Sequence, residues 1–115
     1  MIIRNTKPMN PIHPHSGSFL IGQLNRFGSD LDAKHEITFW LYFPSETCAQ
    51  KASQKAVEAE LSADVTASMD GQWLCLIACP HVPDEALIDG VMQFCIKLAS
   101  DLGGEFDGWE SPLYI

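Results

Sequence analysis

The sequence predicts an α+β domain, in which a four-stranded antiparallel sheet carries two helices on one of its faces. Three features predict it: two strongly apolar runs of β-forming residues, an amphipathic helical pattern after each run, and an Asp-Gly turn between the two halves. The 115 residues fit one domain. With 46% hydrophobic and 19% charged residues, the chain can fill a core.

The N-terminal part is predicted to lie outside the main domain. Residues 1–17 contain three prolines and no hydrophobic period, which indicates an extended or disordered arm before a domain spanning 18–115. A short helix is expected over 18–27, with Ser18 as its N-cap and Gly28 at its end.

The first apolar run, 36–43, is apolar on both faces and therefore predicts a central strand. Ser45 is placed to cap a helix over 45–61. The buried stripe of this helix is expected to consist of small residues at helical spacing. They are Cys48, Ala49, Ala52, Ala56 and Ala59.

The second half of the chain predicts two strands, a helix and a final strand. Small apolar and polar residues alternate over 63–68, as in an edge strand, and Met69-Asp70-Gly71 supplies the turn to a second central strand over 72–79. Asp84 is expected to cap a helix over 85–102, and 105–110 forms the last strand.

The resulting order, β-α-β-β-α-β, is typical of a ferredoxin-like sandwich, with the first and third strands at the centre of the sheet. This topology leaves one sheet face without a helix, and Trp40 and Tyr42 are predicted to lie on it. We expect the helix over 18–27 or a second copy of the chain to cover this face, in preference to an external ligand.

Charge is distributed unevenly along the chain. All fifteen acidic residues lie from Asp30 onward, opposed there by four lysines, whereas the first 27 residues carry three basic groups and no acid. So acidic a body repels phosphate backbones, which argues against direct nucleic-acid binding. A basic segment of another protein would be attracted to it.

The termini and the cysteines indicate the compartment. The first residues lack an apolar signal stretch, and no apolar run is long enough to cross a bilayer, so we expect a cytoplasmic protein without membrane contact. The four cysteines are therefore predicted to be free thiols, mostly buried.

Motifs for catalysis are missing from the sequence. It has no nucleophile elbow, phosphate-binding loop, dinucleotide fingerprint or HExxH, so we expect no enzyme, no cofactor and no metal. His13-Pro14-His15 has no companion cysteine nearby, and Cys75 and Cys79 would lie too far apart in a strand to share one zinc ion with His81. The alternative is a small enzyme in which Cys48 or His81 would converge with Asp107 in a pocket.

Two segments carry a family resemblance: Gly28-Ser29-Asp30 leads into the first strand, and Phe106-Asp107-Gly108-Trp109 lies in the last strand. Both resemble segments of the RraB family of bacterial ribonuclease regulators. The resemblance covers about 18–110, and the chain is similar to a divergent member without the long acidic C-terminal tail of the characterised inhibitor. It implies an acidic ferredoxin-like domain that binds the basic, disordered region of ribonuclease E and lowers RNA cleavage.

Together, this resemblance and the charge pattern place the partner contact in the last strand. The expected contact residues are Glu105, Asp107, Trp109 and Glu110. In the alternative interpretation, the Asp-Gly-Trp segment is a turn with an anchoring Trp. A structural homodimer that pairs its open sheet faces is the third hypothesis.

Overall fold

The computed structural model describes residues 2–6, with only the backbone for 3–6, and residues 16–114. Its five strands are β1 (Ile2–Thr6), β2 (His35–Phe43), β3 (Ser62–Ala67), β4 (Trp73–His81) and β5 (Glu105–Pro112). Its three helices are α1 (Gly17–Arg26), α2 (Glu46–Glu58) and α3 (Glu85–Asp101). The predicted α+β class is confirmed.

The strands form one antiparallel sheet in the order β1-β5-β2-β4-β3. The two strands predicted to be apolar on both faces, β2 and β4, lie next to each other inside the sheet. The sheet has five strands, one more than predicted. The additional strand, β1, pairs with β5, so β5 does not lie at the edge of the sheet. Residues 2–6 of the predicted arm thus form a strand, and 7–15 lie outside the described residues.

The core lies between the sheet and the helices. On β2, alternate residues from His35 to Phe43 are buried, and Cys75, Ile77 and Cys79 of β4 lie on the same face. Helices α2 and α3 pack against this face. Of the stripe predicted for α2, Ala49, Ala52 and Ala56 are buried, whereas Cys48 is half-buried and Ala59 exposed.

Side-chain caps fix the starts of the helices. Ser45 and Asp84 accept hydrogen bonds from the backbone N–H groups of Cys48 and Leu87, as the sequence predicts. The N-cap of α1 lies two residues earlier than predicted: it is Ser16, whose hydroxyl accepts from the N–H of Phe19, and the helix begins at Gly17.

Helix α1 packs on α3, not on the sheet face opposite the helices. Gly17 donates its N–H to the carboxylate of Asp89, and a Cβ at Gly17 would collide with the backbone carbonyl of Glu85. Leu20 and Leu24 of α1 belong to the same buried cluster as α3. The expectation that this helix covers the open sheet face is therefore wrong.

A polar cluster joins the C-terminal end of the chain to the turn before β2. The imidazole of His35 is fully buried, and its Nε2 lies 2.7 Å from the hydroxyl of Ser29. Its Nδ1 lies 2.7 Å from the carbonyl of Ala33, which can only accept, so Nδ1 donates this hydrogen bond. The N–H of Tyr114 donates to the same hydroxyl. Ser29, in the Gly-Ser-Asp turn, thus connects both segments.

Candidate functional site: the open face of the sheet

The sheet face away from the helices, called the open face below, is formed by alternate residues of four strands. Register places Trp40 beside Leu76 and Tyr42 beside Leu74. All four side chains are half-buried and form an apolar centre. In the described part of the chain, no helix packs on this face.

Carboxylates surround this apolar centre. Glu105 is paired with Tyr42, and Glu110 with Thr38, so both acids of β5 lie on one side of the centre. Asp64 of β3 is paired with Leu76 on the other side, and Glu36 lies at the start of β2. The described side chains on this face include four acids, and the strand register places Arg4 of β1 beside Glu110.

Strand β5 owes its arrangement to a bulge. The register between β2 and β5 shifts between Trp40 and Leu41, so that Gly108 faces Trp40 and Phe106 faces Leu41. The backbone φ of Gly108 is 147°, a positive value that glycine adopts more readily than other residues. The extra residue lets Phe106 and Trp109, three apart, both enter the core while Glu105 and Glu110 remain on the open face.

The four predicted contact residues are therefore divided between the two sides of the sheet. Glu105 is exposed, and Asp107 and Glu110 are half-buried, whereas Trp109 is fully buried against the helix side, paired with Phe39. A direct contact of Trp109 with a partner does not fit this position. The position fits the alternative interpretation, in which Trp109 anchors the segment in the core, although the segment forms a bulge and not a turn.

The groups proposed for an enzyme do not converge. His81 is paired with His35 at one end of β2, whereas Cys48 lies in the first turn of α2, beyond the other end. The length of β2 separates the two ends by roughly 25 Å. Asp107 lies in the bulge opposite the middle of β2. The pocket predicted by the enzyme hypothesis is thus contradicted for these residues.

Three of the four cysteines are buried free thiols, and Cys48 is half-buried. Burial, with a smaller contribution from Asp64, raises the pKa of Cys75 to about 11. Burial also raises the pKa of Cys79 and Cys95. Within residues 16–114, no group of three His, Cys, Asp or Glu side chains is arranged to hold a metal ion. His13 and His15 lie outside the described residues.

We expect a maleimide at neutral pH to modify Cys48 of the native protein well before the other three thiols. Burial denies the reagent access to Cys75, Cys79 and Cys95, and their raised pKa keeps the reactive thiolate scarce. Peptide mass spectrometry after timed labelling measures the order. Cys48→Ser should leave almost no native reaction, and rapid labelling of Cys75 or Cys95 would contradict the structure.

The described helices include none that is both long and apolar enough to span a membrane.

A search of curated proteins found no match to the chain. A protein-family model described as "Regulator of ribonuclease activity B" matches residues 16–111, which include α1, the turn before β2 and nearly all of β5. This match covers most of the chain and all four acids of the open face. The chain therefore belongs to the RraB family of regulators of ribonuclease activity.

Proposed function

We propose that this protein regulates a ribonuclease by binding a basic segment of it, and that ribonuclease E is that enzyme. The family match over residues 16–111 carries the proposal, because the family is described as regulating ribonuclease activity. The excess of acidic residues supports a basic protein segment as the partner. The same negative charge repels the phosphates of a nucleic acid, which makes nucleic acid a poor partner.

The mechanism we propose is competition for positive charge. A basic segment of a ribonuclease attracts RNA through phosphate contacts. When the carboxylates of this protein neutralise that segment, RNA is held there less tightly and is cleaved more slowly. Glu105, Asp107 and Glu110 remain our proposed contact residues in β5. Trp109 has a positioning role, because it fixes β5 in the core.

The architecture and the compartment complete the proposal. Strands β2 to β5 follow the order β5-β2-β4-β3, with α2 and α3 on one side. This order supports a ferredoxin-like unit to which β1 and α1 are added. Since ribonuclease E acts on bacterial RNA, we place the protein in the bacterial cytoplasm.

Pull-down of the purified protein with the basic region of ribonuclease E tests the proposal. We expect binding at low salt that weakens as salt screens the charges, and slower cleavage of RNA by the full-length enzyme. A version of the region with its basic residues replaced by glutamine is the control. If the native region is not retained even at low salt, the ribonuclease E partnership fails.

A further inference from the structure

We propose that the outer edge of β3 accepts an extended basic segment of another protein as an additional strand of the sheet. This inference rests on the proposed function only in taking a basic protein segment as the partner. It adds a main-chain contact at the β3 edge to the side-chain contacts proposed for β5, and it states how the segment is held.

The turn after β3 shows which backbone groups of this strand bond to β4. There the N–H of Ser68 donates to the carbonyl of Gln72, and the register between β3 and β4 continues from this pair without a shift. Bonded and non-bonded pairs alternate along an antiparallel ladder, so every second residue of β3 directs its N–H and C=O groups away from β4. These outward residues are Ala63, Val65 and Ala67.

The outward backbone groups lie on an accessible edge. Strand β3 is the last strand of the sheet, and in the described part of the chain no further strand pairs with it. Most of its residues are exposed. Edge strands are commonly protected from further pairing by proline, lysine or a bulge, and β3 contains none of these. A partner strand can therefore pair with β3 over its whole length.

The charges around this edge favour a basic strand. Residues 56–72, which include β3 and the turns on both sides of it, contain acidic residues and neither lysine nor arginine. The acids are all exposed, and they are Glu58, Glu60, Asp64 and Asp70. The other edge strand, β1, contains Arg4 and no acid. Of the two edges, β3 is therefore the one that attracts a basic segment.

The same acids disfavour a second copy of the chain as the added strand. Two β3 strands share the most outward groups when Val65 lies opposite Val65 of the second copy, since Ala63 then faces Ala67. That register brings Glu60 toward Asp70 of the second copy at both ends of the pair. Like charges placed opposite each other oppose association, so a basic segment is the occupant that fits this edge.

Amide hydrogen exchange, followed by NMR on the full chain, tests the proposal with a synthetic peptide of alternating arginine and threonine. In the free protein, the amides of Ala63, Val65 and Ala67 should exchange faster than those of Asp64 and Thr66, which bond to β4. Saturating peptide should slow exchange of the three outward amides by about tenfold or more. The same peptide methylated on every backbone nitrogen keeps its charges but cannot donate main-chain hydrogen bonds, so it should not protect them.

The charge of the edge is tested by Asp64→Lys, which should weaken binding of the arginine-threonine peptide about tenfold. Asp64 is exposed on β3, so the fold should persist. The matched control is Asp101→Lys, which changes net charge equally at the exposed end of α3 and loses only a surface ion pair with Lys97. This control should bind the peptide like the unmodified protein.

The proposal is overturned if the peptide leaves the three outward amides unprotected, if the methylated peptide protects them equally, or if both lysine variants weaken binding equally. Protection that rises with protein concentration without peptide would also overturn it, because a second copy would then occupy the edge. If the ribonuclease E region is retained while these amides stay unprotected, only the contact at β3 fails. If the peptide protects them and that region is not retained, strand addition stands and the ribonuclease E partnership fails.

Discussion

Replacing Trp109 by alanine should lower the free energy of unfolding by about 3–5 kcal/mol. The indole is fully buried and is one of the largest side chains in the core, where it lies beside Phe39 on β2. Its removal leaves a cavity that the surrounding strands cannot close, since β5 is held between β1 and β2. Urea denaturation followed by circular dichroism measures the loss.

The control for this variant is Trp73→Ala. Trp73 is half-buried on β4 and packs at the margin of the core, so its loss should cost clearly less. Trp109→Phe, which keeps an aromatic ring in the core, should retain partner binding. Near-native stability of Trp109→Ala combined with lost binding would show that Trp109 contacts the partner directly.

Gly104→Ala should destabilise the protein by about 1–3 kcal/mol. A Cβ at Gly104 would overlap the backbone carbonyl of Tyr42 and approach the ring of Phe43 at about 2.5 Å. A carbonyl that lies within the sheet cannot move aside as a flexible side chain could. The start of β5 would be forced away from the end of β2, and thermal or urea unfolding would report the loss.

Gly90 provides the opposite case. It lies in the interior of α3, and an added Cβ would meet nothing within 4 Å. Gly90→Ala should therefore stabilise the helix by about 0.5–1 kcal/mol. If Gly104→Ala left stability unchanged or raised it, the close contact assigned to Gly104 would be incorrect.

Most helices and strands could be predicted, because helix caps and strand patterns depend on residues that are close together in the sequence. Ser45 and Asp84 cap α2 and α3, and the two doubly apolar strands are β2 and β4. At α1, Ser16 and Ser18 both suit an N-cap, and sequence alone favoured the wrong one. Strand β1 is stabilised by pairing with β5 at the far end of the chain, which no local pattern reveals.

The site was harder to predict, because its parts are distant in sequence. Strict alternation along β5 would place Glu105, Asp107 and Trp109 on one face, whereas the structure places Trp109 on the face opposite Glu105. The bulge at Asp107-Gly108 shifts this alternation, and glycine was its only sign in the sequence. Glu36 and Asp64 were missed because only the antiparallel register brings them onto one face with β5.

The burial of Trp109 fixes the register of β5 against β2. Sliding β5 by one residue would bring Glu110 to the place of Trp109, beside Phe39 in the core. A carboxylate buried there without a partner is very costly, so the strand has a single usable alignment. The two aromatic side chains that complete the core, Phe106 and Trp109, thus also set the spacing of Glu105 and Glu110 on the opposite surface.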